Sequence, residues 1–303
     1  MSLHPACHTG RTRDKVSIRG LRNTGSVMDL LVVGADGMVG RALLAAARRA
    51  GLHAEGTSRH PDAAGCLALD LAQPLPVLPE EVRTAVLCAG ITSLAACAAD
   101  PEGTATINIR ATLALAERLR RQGSHVLYLS SNLVFDGRQP FLSETSPTCP
   151  RTVYGRQKVI VEEALLAAGG SAILRLTKVM TTNLPLIREW VSNLAQGHPI
   201  YPHCGRTLAP LPLDLVSAAC LTLAAGQHTG PYHLSAEADT TYDAMAFQLA
   251  QRLRCPSDLV QAIDCPRDDP AIPAHTVLAM PRLEALGVRP SQVDDWLVAE
   301  GIG

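Results

Sequence analysis

No apolar stretch in this sequence approaches the ~20 residues that an α-helix needs to cross a bilayer, which excludes a helical membrane-spanning protein. Blocks of like charge are missing too. Lys and Arg number 27 against 28 Asp and Glu, for a formal charge of −1. That balance offers no electrostatic footprint for nucleic acid or an anionic membrane surface. The nine cysteines include no C-x-x-C and no Cys/His cluster at metal-ligand spacing. Several, such as Cys88, sit inside apolar runs, where a thiol behaves as a small hydrophobe. No signal-peptide pattern opens the chain. These absences leave a reduced, cytoplasmic protein without a metal, whose partners are small molecules. With 47% apolar residues in a chain of 303, it can bury a full core in one large or two coupled domains.

The rest is organised around Asp29 to Gly40, DLLVVGADGMVG. Strand formers from Leu30 to Val33 run into glycines at 34, 37 and 40, and the chain after Arg41 reads as a helix. Such a junction points backbone N–H groups and the positive end of a helix dipole at one spot, which suits the pyrophosphate of a dinucleotide. Gly34 permits the turn, Gly37 lets the backbone approach the phosphates, and Gly40 lets helix and strand pack closely. Asp36, Met38 and Val39 complete this expected cradle. The spacing is G-x-x-G-x-x-G, and an ordinary βα turn is the alternative.

A second strand is expected over Leu52–Thr57, ending in Thr57-Ser58-Arg59. An acidic residue at such a strand end would bind the ribose hydroxyls of NAD. Ser58 and Arg59 suit a 2′-phosphate instead, which favours NADP(H), with NAD(H) still open. Glu55 falls within the strand, too early to reach the ribose; an ordinary surface role for Arg59 is the competing reading. Asp70 and Leu71 end a third short strand where an adenine would lie. The next buried strand, Thr84–Ala89, brings Cys88, Ala89 and Gly90 beside the cofactor. A helix starts at Asp100-Pro101 and runs through Asn108, and His125–Leu129 is a further strand. This alternation predicts an α/β fold: a doubly wound, Rossmann-like parallel sheet with helices on both faces. Ligands bind at the carboxyl ends of such strands, so the residues after Leu129 face the cofactor.

Those residues are Ser130-Ser131-Asn132, and later comes Tyr154-Gly-Arg-Gln-Lys158 at the start of a helix. Tyr and Lys four apart share one face. A free phenol titrates near pH 10 and is a poor acid at neutral pH; a neighbouring ammonium pulls it toward the working range. A Ser131 hydroxyl at a strand end could hold the same carbonyl oxygen that Tyr154 protonates. Taken separately, a solvated helix face and a turn serine are the better account of these residues; their order along one βαβ chain favours the chemical reading.

In this order the residues resemble the extended short-chain dehydrogenases/reductases, and within them the dTDP-4-dehydrorhamnose reductase branch. The likeness runs from about Met28 to the C-terminus. SSNLVFDG…SETSPTCPRTVYGRQK is similar to that branch's S-T-D-Y-V-F-D-G, later E, then P-x-x-x-Y-G-x-x-K. The resemblance implies Ser131, Tyr154, Lys158 and Asn108 as catalytic residues, with Tyr154 the acid and Lys158 also holding the nicotinamide ribose. It implies that Arg175, in ILRLTKV, precedes the passage to a smaller mixed α/β substrate domain. The Rossmann domain would take 28–178 and about 212–234, the substrate domain 179–211 and 235–303. Thr92, Asn132, Val134, Phe135 and Arg206 would meet the substrate, a nucleotide-activated 4-keto-6-deoxy sugar; a homodimer is one open assembly, and the sequence leaves the oligomeric state undecided. There are departures. Asn132-Leu133 stands where the branch has Asp–Tyr, Leu94–Ala98 lacks the carboxylates of its V-D-x-A-E, and HCGRTLAPLP replaces D-Q-x-G-x-P-T. Two alternatives follow: an epimerase or dehydratase of the same family, or a non-catalytic NADP-binding regulatory subunit similar to the beta subunit of methionine adenosyltransferase.

Residues 1–27 carry no sustained apolar period and are expected to be an extension outside the fold. Helices are expected over Leu184–Ala195, with Trp190 in the core, over Asp214–Ala225 and over Tyr242–Leu253. His198 to His203 reads as a loop or short strand, 264–273 as a surface loop, and 281–287 and 292–300 close the chain.

Overall fold

The computed structural model describes residues 27–60, 65–264 and 272–302. The extension expected over 1–27, except Val27, and most of the 264–273 loop lie outside these. Strand β1 (Met28–Val33) is buried along its whole length, as an interior parallel strand must be. The glycine turn leads into α1 (Met38–Arg49), whose last turn places Arg48 and Arg49 at the negative end of the helix dipole. β2 (Ala54–Ser58), β3 (Cys66–Ala68) and β4 (Val82–Leu87) follow. Two short helices, α2 (Leu94–Ala99) and α3 (Pro101–Ala105), start at Ser93 and Asp100, whose side chains accept the N–H groups of Ala96 and Gly103. A π-helical stretch, Thr106–Ala111, joins α3 to α4 (Thr112–Arg121).

Next come β5 (His125–Ser131), α5 (Val153–Ala168), β6 (Ser171–Leu176) and β7 (Lys178–Met180). The chain continues through α6 (Pro185–Ala195), β8 (Thr207–Leu208), β9 (Pro210–Pro212), α7 (Leu213–Ala225) and β10 (Gly230–Leu234). It closes with β11 (Thr240–Thr241), α8 (Tyr242–Arg252), α9 (Pro281–Glu284) and α10 (Asp295–Ala299).

The central sheet has seven strands in the order β10-β6-β5-β4-β1-β2-β3, and every pairing within it is parallel. The chain builds outward from β1 to β3, then returns to lay β4 against the other edge of β1. Adjacent connections therefore leave on opposite faces between β1 and β4, which opens a crevice at their carboxyl ends. Register keeps those ends level: Val33 pairs with Leu87, and the Cys88 N–H donates to the Val33 carbonyl at 2.9 Å.

Strand alternation divides the core. Leu30, Val32, Leu127 and Leu174 pack on one face with Leu43 of α1 and Val216 and Leu223 of α7. Leu31, Val33, Tyr128 and Ile173 pack on the other with Leu115 and Leu119 of α4 and Val161 and Leu165 of α5. This is the Rossmann-like, doubly wound architecture expected from the sequence. A separate core gathers Met180, Ile187, Trp190, Leu208, Met245, Leu249 and Trp296. Trp190 is only 3% exposed and meets Tyr242 edge to face at 6.4 Å.

Candidate active site

Two cavities form one cleft across the β1/β4 crevice. The first, of about 640 Å³, is lined by the glycine turn, the end of β2 and the segment after β4. The second, of about 410 Å³, is lined by the end of β5, the start of α5 and residues of the separate core, among them Leu184, Leu208 and Tyr242. Cys88 and Thr92 line both.

Gly34 turns the chain at φ +84°, and its N–H donates to the Thr57 hydroxyl at 3.3 Å. A Cβ on Gly40 would lie 2.2 Å from the Gly34 carbonyl oxygen, so this glycine sets how closely α1 packs beneath the turn; it lines neither cavity. No side chain caps α1 at Gly37, which leaves first-turn N–H groups for an anion. Gly34, Asp36 and Gly37 line the first cavity together with Arg59, Asp70, Leu71, Ala89 and Gly90, and Met38 and Val39 line the second. The shape and donor set fit a dinucleotide. Ser58 departs from expectation: it is 1% exposed and its hydroxyl accepts the His60 N–H at 3.0 Å. Strand alternation turns it away from the cavity, while Thr57, Arg59 and His60 line it. His60 also lies 3.6 Å from the Asp36 carboxylate.

Ser131, Tyr154 and Lys158 come together on the wall of the second cavity. Helix α5 starts because Thr152 accepts the Gly155 N–H at 3.0 Å. A Cβ on Gly155 would lie 2.1 Å from the Leu133 carbonyl; the missing side chain lets the helix start beside the turn that follows β5. Ser131 accepts the Leu133 N–H at 3.2 Å and lies 3.4 Å from the Asn132 amide oxygen. The Lys158 ammonium donates to the Leu129 carbonyl at 2.8 Å. It stands 4.4 Å from the Tyr128 ring centre and 5.5 Å from that of Tyr154.

Burial pushes the Lys158 pKa down to about 8, opposed by the Glu162 carboxylate and by Cys88 and Cys97. Burial also raises the Tyr154 phenol above its ordinary range, with a further push from Cys97. The expected lowering of this phenol by Lys158 is therefore not seen: desolvation dominates, and the ammonium donates its hydrogen bond to the sheet. Cys88, pushed up to about 12 by burial, stays a neutral thiol.

Behind Lys158 lies a buried ion pair. Arg175 Nε donates to Glu162 at 3.2 and 3.0 Å, and Nη2 at 2.7 Å. Its Nη1 donates to His233 Nε2 at 3.2 Å, while His233 Nδ1 donates to the Ala279 carbonyl at 2.9 Å. Burial and the adjacent guanidinium hold His233 down to about 4, hence neutral.

Three further expectations are corrected. Val134 and Phe135 line neither half of the cleft; they pack with Leu278 in a small core, and Phe135 lies edge-on to His233 at 5.7 Å. Asn108 is 4% exposed and lines neither cavity. Its carbonyl oxygen accepts the Ile91 N–H at 2.7 Å, and its amide donates to the Ile91 carbonyl at 3.0 Å and to Gln157 at 2.8 Å. It clamps the segment after β4 to α5 and does not touch the reacting space. Thr92, Asn132 and Arg206 do line the second cavity.

Sequence reasoning missed Gln157, Lys178 and Thr276. Gln157 could have been sought inside the Tyr-x-x-x-Lys turn. Thr276 carries no local signal: Asp239 accepts its N–H and hydroxyl at 2.9 and 2.7 Å, holding it over the cleft. Among the described residues, no group of three His, Cys, Asp or Glu is placed to hold a metal, and no helix is long and apolar enough to cross a membrane.

Sheet order, glycine turn and a Tyr-x-x-x-Lys helix at one crevice define an NAD(P)-dependent oxidoreductase of the extended short-chain dehydrogenase/reductase type. The chain belongs to the RmlD substrate binding domain family, which matches residues 28–296. It is 30% identical over 288 residues to a probable dTDP-4,6-dihydroxy-2-methyloxan-3-one 4-ketoreductase of Streptomyces antibioticus, covering 89% of this chain and 92% of that one. It is 26% identical over 276 residues to the methionine adenosyltransferase 2 subunit beta of Xenopus laevis, covering 85% and 82%. The crystal structure of dTDP-4-dehydrorhamnose reductase from Bacillus anthracis in complex with NADP shares the fold, with a TM-score of 0.76 at 15% identity, covering 90% of this chain and 97% of that one.

Proposed function

We propose that this protein reduces the ketone of a nucleotide-activated 4-keto-6-deoxy sugar, with NADP(H) preferred. The observation that carries the reading is the meeting of Ser131, Tyr154 and Lys158 in a cavity that shares Cys88 and Thr92 with the one lined by the glycine cradle. When bound, the dinucleotide supplies the hydride. Ser131 orients the carbonyl oxygen, Tyr154 delivers the proton to it, and Lys158 holds positive charge beside the phenol and the ribose. Arg59, on the wall of the first cavity, is suited to a 2′-phosphate. The names of the Streptomyces and Bacillus relatives support a dTDP-linked sugar. In this reading 28–178 with about 212–234 holds the cofactor, and the remainder, with its own core, shapes the substrate half.

The test is NADPH oxidation by the purified protein supplied with a dTDP-4-keto-6-deoxy sugar. Substrate-dependent, stoichiometric oxidation is expected; turnover with no net NADPH loss would instead mark an epimerase or dehydratase. The likeness to methionine adenosyltransferase 2 subunit beta favours a second reading, a cofactor-binding regulatory subunit. Tight NADPH binding, no turnover on any sugar nucleotide and co-purification with an enzyme partner would select it.

A further inference from the structure

We propose that Lys178 and Arg206 form an anion site for the diphosphate of the substrate, and that Lys178 determines specificity for nucleoside diphosphate-linked carbonyl compounds. The proposal rests on the reductase reading and names the chemistry its substrate must carry.

The second cavity is lined by three cations, Lys158, Lys178 and Arg206, and by no Asp or Glu among the described residues. Lys158 is committed to the Leu129 carbonyl. The other two approach from different segments, each with a fixed backbone. Lys178 opens β7, its N–H donating to the Ala209 carbonyl at 3.1 Å, in register with Pro210 of β9. Arg206 precedes β8; its carbonyl accepts the Tyr242 N–H at 3.0 Å, and its guanidinium lies 5.5 Å from the Tyr242 ring centre. Neither cation forms an ion pair with a carboxylate among the described residues, and both face the same space as Tyr154.

Two such cations repel each other. The Lys178 ammonium is held below its ordinary pKa by burial in the cleft and by Arg206, a penalty that a bridging anion relieves. A lysine offers a compact charge and an arginine a planar fork, and a diphosphate has oxygens enough for both. Thr207 lines the same space and supplies a hydroxyl donor. A neutral ketone would leave both cations unmatched. The pyrophosphate of the dinucleotide is met elsewhere, at the glycine cradle of the first cavity. The substrate thus lies with its diphosphate toward Lys178 and Arg206 and its carbonyl toward Tyr154.

The test is calorimetric titration of the full chain, saturated with NADP+, with dTDP and with dTMP. Binding of dTDP is expected to be about tenfold tighter than that of dTMP. Lys178→Met should weaken dTDP about tenfold and erase the preference, Lys178→Arg should keep it within about threefold, and NADPH affinity should hold within about twofold in both. In turnover, Lys178→Met should raise KM about tenfold with little change in kcat. Lys178 faces the open cleft and packs in no hydrophobic core, so the variants should melt with the parent. Equal binding of dTDP and dTMP by the parent, unchanged dTDP binding in Lys178→Met, or a loss confined to NADPH would overturn the proposal. Lys178-dependent dTDP binding without any NADPH oxidation would keep the anion site and remove the reductase reading. Oxidation with an unchanged KM in Lys178→Met would remove the anion site alone.

Discussion

Replacing Arg175 with Met takes the partner from a carboxylate that is only 1% exposed. Three N–H···O contacts, at 3.2, 3.0 and 2.7 Å, disappear at once. Lys158, one helical turn back on α5, already donates to the Leu129 carbonyl, so the carboxylate is left without its partner. Breaking a buried pair by removing one member costs about 3–5 kcal/mol, against a total stability of about 5–15 kcal/mol. Urea unfolding should show a midpoint lower by about 1 M or more. Glu162→Gln in the same chain should recover about 2 kcal/mol, a non-additivity that a merely steric role for Arg175 would not produce. A loss under about 1 kcal/mol, or additive effects of the two substitutions, would refute the reasoning.

Tyr154→Phe should lower kcat about 10²–10⁴-fold with NADPH affinity unchanged, as fluorescence titration beside steady-state rates would show. Lys158 is held at about 8, so it loses its charge as pH rises through that value, and kcat/KM of the free enzyme should fall on an alkaline limb near there; Lys158→Arg should move the limb upward. The sign for stability is opposite: between about 8 and the ordinary value of 10.5 the unfolded chain holds more protons at this site, so its contribution to stability rises with pH. Gly40→Ala sets a methyl 2.2 Å from the Gly34 carbonyl, which should lower both the melting temperature and dinucleotide affinity, read by calorimetry with and without NADPH. Arg59→Ala should weaken NADPH about 10- to 100-fold and leave NADH nearly untouched, measured as paired dissociation constants.

The parts of the fold legible in the sequence were those that announce themselves locally. The unbroken apolar run of β1 and the three glycines behind it have one comfortable arrangement, and Tyr154 to Lys158 share a helix face by period alone. Errors came where neighbours decide. Ser58 was misplaced by a single position: in an extended strand adjacent residues face opposite sides, so Thr57 reaches the turn and Ser58 faces away. Val134 and Phe135 look the same in sequence whether they touch a ligand or fill a core, and contact with Leu278, far along the chain, decides the matter. The strands β7, β8 and β9 span three, two and three residues, too short for any periodicity. Lys178 was passed over because nothing nearby in the sequence shows that Arg206 shares its cavity.

Asn108, Gln157 and Thr104 join the segment after β4 to α3 and α5 through uncharged amides and a hydroxyl. Such a joint is blind to proton concentration. While Lys158 sheds its charge, these amide and hydroxyl bonds have nothing to titrate. A rate profile across that range therefore reports on the reacting groups themselves, and the loss of activity should reverse fully when the acidity is restored.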